Sequence, residues 1–413
     1  MARVSFQDLQ NTIDKYLLLE DRYVVKLLCA FIVANRMPIP PPWLFIIASS
    51  SGGKSALLNS LANVRGFAPL DDMTANTFLS GMKKAGQETS FLHQLPTMPF
   101  IVMKDFTTIL SKNKETKAAI MGLLRKIYDG EMSKRTGQGD KLDWEGKVGV
   151  LGGSTSSIHT KLREFSDMGE RLLFYGFKQP DRRKLGEMIL NKKIDDIEAK
   201  KAMREAFAGY LDSGSVNIPE EQPILDPETK KDLLDLSDLT TKARSAVERD
   251  EYSRDKRVLM VHYEEQVGRF LKQLMAMAYG LIVINLNETG QAIMLPEDRK
   301  ALYGIALDSI PLMRRMVLQV LCEYDSASTK ALGVRLGLPT DTVRHALEDL
   351  NAHQLVVKYE GMGRQDNWRL SNHWREIIGR FEGIKHTSKE LEEPVAMAPD
   401  EESLPDIAQY AAS

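Results

Sequence analysis

Trp43–Leu58 reads WLFIIASSSGGKSALL, and the reading of this stretch decides the fold. An apolar run ends in a turn of small residues; Lys54 and Ser55 follow, then Leu57, Leu58 and Leu61 spaced for one helix face. Strand, tight turn and helix form the arrangement that cradles phosphate. Turn amides and the helix N-terminus meet the anion, the lysine reaches the outer phosphate oxygens, and the hydroxyl ligates Mg²⁺. From Ala48 to Gly53-Lys54-Ser55 the spacing matches G-x-x-x-x-G-K-S everywhere except the first place, where Ala48 stands. Alanine held at positive φ costs roughly 1–2 kcal/mol. Gly53, where a side chain would do more harm, is glycine. We read a working loop, lightly altered, with Ser50, Ser51, Gly52, Gly53, Lys54, Ser55 and Ala56 around the nucleotide.

Working outward, further short apolar runs lie at 99–103 (PFIVM), 147–153 (KVGVLGG) and 171–177 (RLLFYGF), with helix-like segments at 55–63, 114–128 and 156–166. Runs of this kind, alternating with helices, predict a parallel α/β sheet. Residues 6–35 carry a helical pattern, and RMPIPPPW (36–43) breaks it.

A phosphate loop that hydrolyses also needs an acid on a neighbouring strand, to hold Mg²⁺ and help orient water. Asp105 ends the 99–103 run. The usual pattern there is an acidic pair, yet Lys104 precedes Asp105 and Phe106 follows it. Either Asp105 holds the metal and the base lies elsewhere, or Asp105 takes the base's place and Lys104 the metal ligand's. Ser154 and Thr155 close the next run as polar groups able to sense the γ-phosphate. Arg171 stands just ahead of the last run, where an arginine donated by a neighbouring subunit would stabilise transition-state charge.

In FIIASSSGGKSALL, TANTFLSG, MKDFTTILS, LRKIYDGE, WEGKVGVLGGST and GERLLFYGF, the chain resembles the AAA+ ATPases over roughly 1–380. Within them it is most similar to the helicase-type group that includes the minichromosome-maintenance proteins and helicase-like ATPases of phages and mobile elements. The resemblance implies a homo-oligomeric ring, a hexamer, binding ATP and Mg²⁺ between subunits. It would make Lys54 and Ser55 the Walker A residues, Asp105 the Walker B acid, Ser154 and Thr155 the first sensor, Arg171 the arginine finger and Arg269 the second sensor. Ala48, the missing acidic pair and the lack of a sensor asparagine depart from the pattern and bear on hydrolysis more than on binding. The group also carries hairpins that enter the pore. Residues 129–147 occupy the matching place, where Lys134, Arg135 and Lys141 would grip single-stranded or forked DNA by its phosphates, or form a solvated charged loop.

Residues 312–371 read as helix, helix, turn, helix and two strands around a glycine turn, the plan of a winged helix-turn-helix. The third helix, capped around Thr340, would present Thr342, Arg344 and His345, with Lys358 and Arg364 on the wing. Eleven Lys/Arg against nine Asp/Glu over 309–385 make this segment only mildly basic, so contact with DNA and contact with protein both stand.

The chain has 413 residues, 43% hydrophobic and 27% charged, with net charge −2. This fits about two to three domains and excludes a polyanion binder by bulk charge. Cys29 and Cys322 sit far apart in apolar helical patterns, against a disulfide framework or a Cys/His metal site. The first residues lack a charged start, apolar core and cleavage site, and no run of about eighteen apolar residues is seen, so a soluble, cytoplasmic protein without a membrane partner is expected. The expected organisation is an N-terminal helical segment (1–40), an α/β ATPase core (41–183), a helical lid (184–305), a winged-helix domain (306–385) and an acidic disordered tail (386–413). The expected function is an ATP-dependent DNA helicase or translocase in replication of a phage or mobile element, working with replication proteins. Two alternatives are an ATPase switch that loads a helicase or targets a transposase, and a winged-helix DNA-binding regulator with ATP-controlled assembly.

Overall fold

The computed structural model of the chain describes residues 4–49, 52–74, 77–79, 83–84, 87–88, 90–135, 141–161, 171–191, 196–250, 252–253, 255–360, 366–382 and 387–391. It divides into two compact units, Met1–Asp226 with Lys272–Asp298, and Pro227–Leu271 with Arg299–Ser413. The division thus falls inside the stretch 184–305, which composition alone takes as a single lid.

The first unit is built on a parallel sheet of five strands: β1 (Trp43–Ile47), β2 (Phe67–Pro69), β3 (Phe100–Met103), β4 (Gly149–Ser154) and β5 (Leu173–Gly176), in the order β2-β3-β4-β1-β5. Four of these are the apolar runs of the sequence. The short edge strand β2 escaped the pattern because it holds three residues and ends on Pro69, which an edge tolerates. β1, β3 and β4 are buried along their whole length, as strands covered on both faces must be. Phe45 packs edge-on against Phe106, with ring centroids 4.9 Å apart, and 6.1 Å from Phe174. It also explains a glycine in β4: a Cβ on Gly152 would lie 2.2 Å from the Phe45 ring.

The helical pattern over 6–35 is two helices, Phe6–Tyr16 and Tyr23–Arg36, not one. Leu17 turns extended after the first. Ser5 and Asp8 form a capping box at its start, a signal that marks only where a helix begins. Tyr23–Arg36 is almost wholly buried. It lies against Val267–Thr289, so closely that a Cβ on Gly280 would stand 2.1 Å from the Ala30 carbonyl oxygen. Among the described residues Val267–Thr289 is also long and apolar enough to cross a membrane, although the sequence reading found no such run. Two-thirds of its most apolar window (67%) is buried inside the protein, the condition of a core helix. Beneath it, the buried Asp298 carboxylate accepts bonds from Lys26 Nζ (2.7 Å), Asn285 Nδ2 (2.7 Å), the Leu295 amide (2.8 Å) and the Tyr23 hydroxyl. Cys29 and Cys322 are free and buried.

In the second unit, helices Leu312–Glu323, Thr329–Leu336 and Thr340–Ala352 stand where the sequence pattern puts them. The sheet beside them has four strands instead of two: Val356–Glu360, Asp366–Leu370, Tyr324–Ser328 and Thr387–Leu391, in that order. Thr387–Leu391 pairs parallel with Tyr324–Ser328, which corrects the expectation of a disordered tail from 386. Thr340 is the first residue of its helix, with no side-chain cap. A further hairpin, Val247–Arg249 with Val258–Val261, interrupts what was expected to be helix.

Candidate functional site

All five strands of the first unit's main sheet are parallel, so their carboxyl ends share one edge. From β1 the chain goes out to β2, returns through β3 and β4 to one side of β1, then places β5 on the other side. The strand order reverses at β1. Open parallel sheets take ligands in the crevice beyond the carboxyl ends at such a point. Ala48, Lys104-Asp105, Thr155 and Phe177 all leave the sheet at this edge.

The helix Lys54–Asn59 begins here, with Gly53 at its cap in the left-handed region (φ +80°) and no atom within 4 Å of where its Cβ would be. The positive φ is needed at Gly53. Lys54 is 7% exposed, and its ammonium donates to the carbonyl oxygens of Ser154 (2.9 Å) and Ala48 (3.2 Å). Among the described residues it makes no ion pair. Burial pushes it below the ordinary lysine range, and the negative charge of Asp105 offsets part of that push. Its stem crosses β4 at Gly153, where a Cβ would lie 3.2 Å from Lys54 Cδ and 2.5 Å from the Lys104 carbonyl oxygen. The glycine pair therefore has separate causes, the Phe45 ring at Gly152 and, at Gly153, the Lys104 carbonyl with the Lys54 stem close behind it. The Ala48 amide donates to the Ser154 carbonyl (3.1 Å), so Ala48 continues the β1–β4 ladder and is buried. Ser55 is exposed and Ala56 half-buried. Ser50 and Ser51 lie outside the described residues.

Asp105 is exposed, and its Oδ1 accepts from the Thr107 amide (2.9 Å) and hydroxyl, which ties it to the start of helix Thr107–Leu110. Neither neighbour supplies a second acid. Lys104 pairs with Asp71 at 2.9 Å, and Phe106 is 2% exposed against Phe45. Core packing therefore occupies the place where the usual pattern has its second acid. Ser154 is fully buried, and its hydroxyl donates to the Thr155 carbonyl (3.3 Å). The Thr155 hydroxyl is 2.7 Å from that of Ser157.

Gln179 was missed by sequence reasoning. Its Oε1 accepts from the Ser49 hydroxyl (3.2 Å) and would meet a Cβ on Gly52 at 1.8 Å, so the amide lies directly on the loop. A glutamine three residues past a strand carries no signal in sequence.

Arg171 precedes β5 and so lies at the amino edge of the sheet, opposite Lys54 of its own chain. It is 6% exposed, bonded to both Asp129 oxygens at 3.4 Å, with its guanidinium 5.5 Å from the Tyr128 ring. Residues Glu131–Arg135 and Lys141–Glu145 form an antiparallel hairpin whose inner face buries Met132 and Leu142. Arg135 and Lys141 sit opposite each other near its far end, both exposed, and Lys141 pairs with Asp143 (2.8 Å). Lys134 instead turns back to the Leu79 carbonyl (3.0 Å).

The remaining nominees belong to the second unit. Arg269 is exposed in the first turn of Val267–Thr289. Arg344 pairs with Asp341 (3.0 Å) and Glu348 (3.6 Å), and Lys358 with Asp366 (2.8 Å). Arg364 lies outside the described residues. Arg249 of the 247–261 hairpin binds Asp349 (2.6 Å), Glu348 (2.8 Å) and the His345 carbonyl (2.9 Å), while Arg314 holds the other Asp349 oxygen (3.0 Å). The acids on the third helix thus have a structural use. No protein-family model matches this chain, and no curated protein gives a significant match.

Proposed function

We propose that this chain is a P-loop ATPase of the AAA+ class, with a winged-helix module, that forms a ring and translocates along or unwinds DNA in replication of a phage or mobile element. Lys54 carries the proposal. An ammonium that among the described residues bonds two carbonyl oxygens and no acid, at the strand-order reversal of a parallel sheet, is suited to receive an anion. Gly53 leaves the approach open, and Ser55 presents its hydroxyl beside it. These residues fit a nucleotide triphosphate with its metal, which Ser55 and Asp105 would hold. Mg²⁺, when bound, draws charge from the phosphate oxygens. Lys54 neutralises the outer phosphates, Thr155 supplies a hydroxyl at the same edge, and Arg171, on the far edge, can serve only a neighbouring copy's site. Arg135 and Lys141 offer the phosphate-binding charge of the hairpin.

The solitary Asp105 favours a second reading, an ATPase switch that assembles on DNA and turns over slowly or not at all. The regulator reading has less support, because Arg344, His345, Glu348 and Asp349 are engaged within the chain.

ATP turnover by the purified protein, with and without single-stranded DNA, decides among these. DNA-stimulated turnover that is lost in Lys54→Ala supports the motor, and strand displacement would then be assayed. Binding without turnover leaves the switch, and no nucleotide binding rejects both.

A further inference from the structure

The hairpin Val247–Arg249/Val258–Val261 exposes apolar residues along its outer strand. Val258, Leu259, Met260 and Val261 are 37, 63, 54 and 45% exposed, and Tyr252 and Tyr263 are fully exposed. Among the described residues its sheet holds these two strands. The hairpin is nevertheless held in place. Arg249 is locked into Asp349 and Glu348, and just past the strand Arg244 grips Glu265 in a buried pair and lies 4.7 Å from the Phe270 ring. A fixed apolar strand with an open edge is a template for strand addition, and proteins normally blunt or cover such edges.

The flanks say what covers it. Lys256 and Arg257 precede the strand, and Tyr263 and Glu264 follow it. A two-fold axis perpendicular to an antiparallel pair passes between identical residues. With Met260 opposite Met260, Leu259 faces Val261, Arg257 faces Tyr263 and Lys256 faces Glu264. Glu264 keeps 37% of its side chain exposed while bonded to Lys242 at 2.9 Å, so it can accept a second cation. Apart from Val258, which meets His262, these positions match a second copy of the same strand.

We propose that Val258–Val261 is a self-association edge, pairing antiparallel with the same strand of a second copy about Met260. The contact is small beside the roughly 1,200–2,000 Å² buried in stable complexes, so the dimer is weak and concentration-dependent. It needs no nucleotide, unlike the proposed ring, and persists in Lys54→Ala.

The test uses the full chain without nucleotide. Met260→Cys should form a disulfide-linked dimer under mild oxidation, since the two native cysteines are buried, while Glu248→Cys on the inner strand should not. In sedimentation, Met260→Lys should weaken self-association at least tenfold while its unfolding midpoint stays unchanged. Cross-linking no greater at 260 than at 248 overturns the proposal. So does self-association that survives Met260→Lys, or that appears only with ATP; the last would speak for the proposed ring instead, while the first leaves the phosphate site untouched.

Discussion

Gly153 is the bed on which Lys54 lies: the lysine stem passes it with Cδ only 3.2 Å from where a Cβ would be. The same Cβ would press the Lys104 carbonyl at 2.5 Å, and backbone cannot swing aside as a side chain can.

Gly153→Ala should therefore lower stability by about 1–3 kcal/mol, the usual cost of overpacking, and displace the ammonium. Thermal unfolding with and without an ATP analogue reads both effects. The analogue's stabilising shift should shrink more than it does in Gly122→Ala, a site with open space around its Cβ.

Arg171 and Lys54 stand on opposite edges of one sheet, so under the proposed function Arg171 would act in a neighbouring copy's site, once released from Asp129. Lys54→Ala and Arg171→Ala should each lose turnover. Mixing them should restore a fraction, because some interfaces then combine an intact lysine with an intact arginine. Turnover that stays at zero across all mixing ratios, with both variants folded by circular dichroism, would reject a shared site.

Arg135 and Lys141 are the exposed charges at the hairpin's far end. Each phosphate contact on single-stranded DNA contributes about 0.7 to the slope of log affinity against log salt. Removing both should lower that slope by about 1.4 and weaken every sequence alike. Lys134→Ala should act more on stability, since Lys134 bonds the Leu79 carbonyl.

Lys147 titrates where proteins rarely do. Burial brings its ammonium down to about 8, while its nitrogen donates to the Met37 carbonyl. Below pH 8 both folded and unfolded chains carry the charge. Between about 8 and 10.5 the folded chain releases a proton that the unfolded chain keeps, so stability rises with pH across this window. Lys147→Met should flatten that rise, seen as melting temperature against pH.

Much of the sheet was legible because strands covered on both faces must be apolar throughout. β1, β3, β4 and β5 announced themselves in this way, and β2, with three residues, did not. Spacing singled out Gly53 as the place where a side chain would do harm, and it stands at φ +80°; the positive φ expected at Ala48 is not there, because Ala48 continues the β1–β4 ladder. The reason for Gly152 and Gly153 was not legible, since Phe45 and Lys54 are about a hundred residues away. Gln179 was invisible for the same reason. The 247–261 hairpin was lost in a charged stretch because its outer strand is exposed on every residue, with no alternation to betray it. Arg344 reads in sequence as a DNA-facing charge of the third helix; that the neighbouring acids Glu348 and Asp349 bind Arg249 was not legible, because Arg249 lies about a hundred residues earlier.

The close passage of Gly280 over Ala30 sets an order of events at the ribosome. The helix that covers Tyr23–Arg36 is translated some two hundred and fifty residues after it, and Asp298, which answers Lys26, comes later still. Until then the helix Tyr23–Arg36 on the parallel sheet stands with one flank uncovered, and Lys26 lacks its counter-charge. Any fragment cut for study should run through residue 298, with 227–271 kept as the connecting excursion.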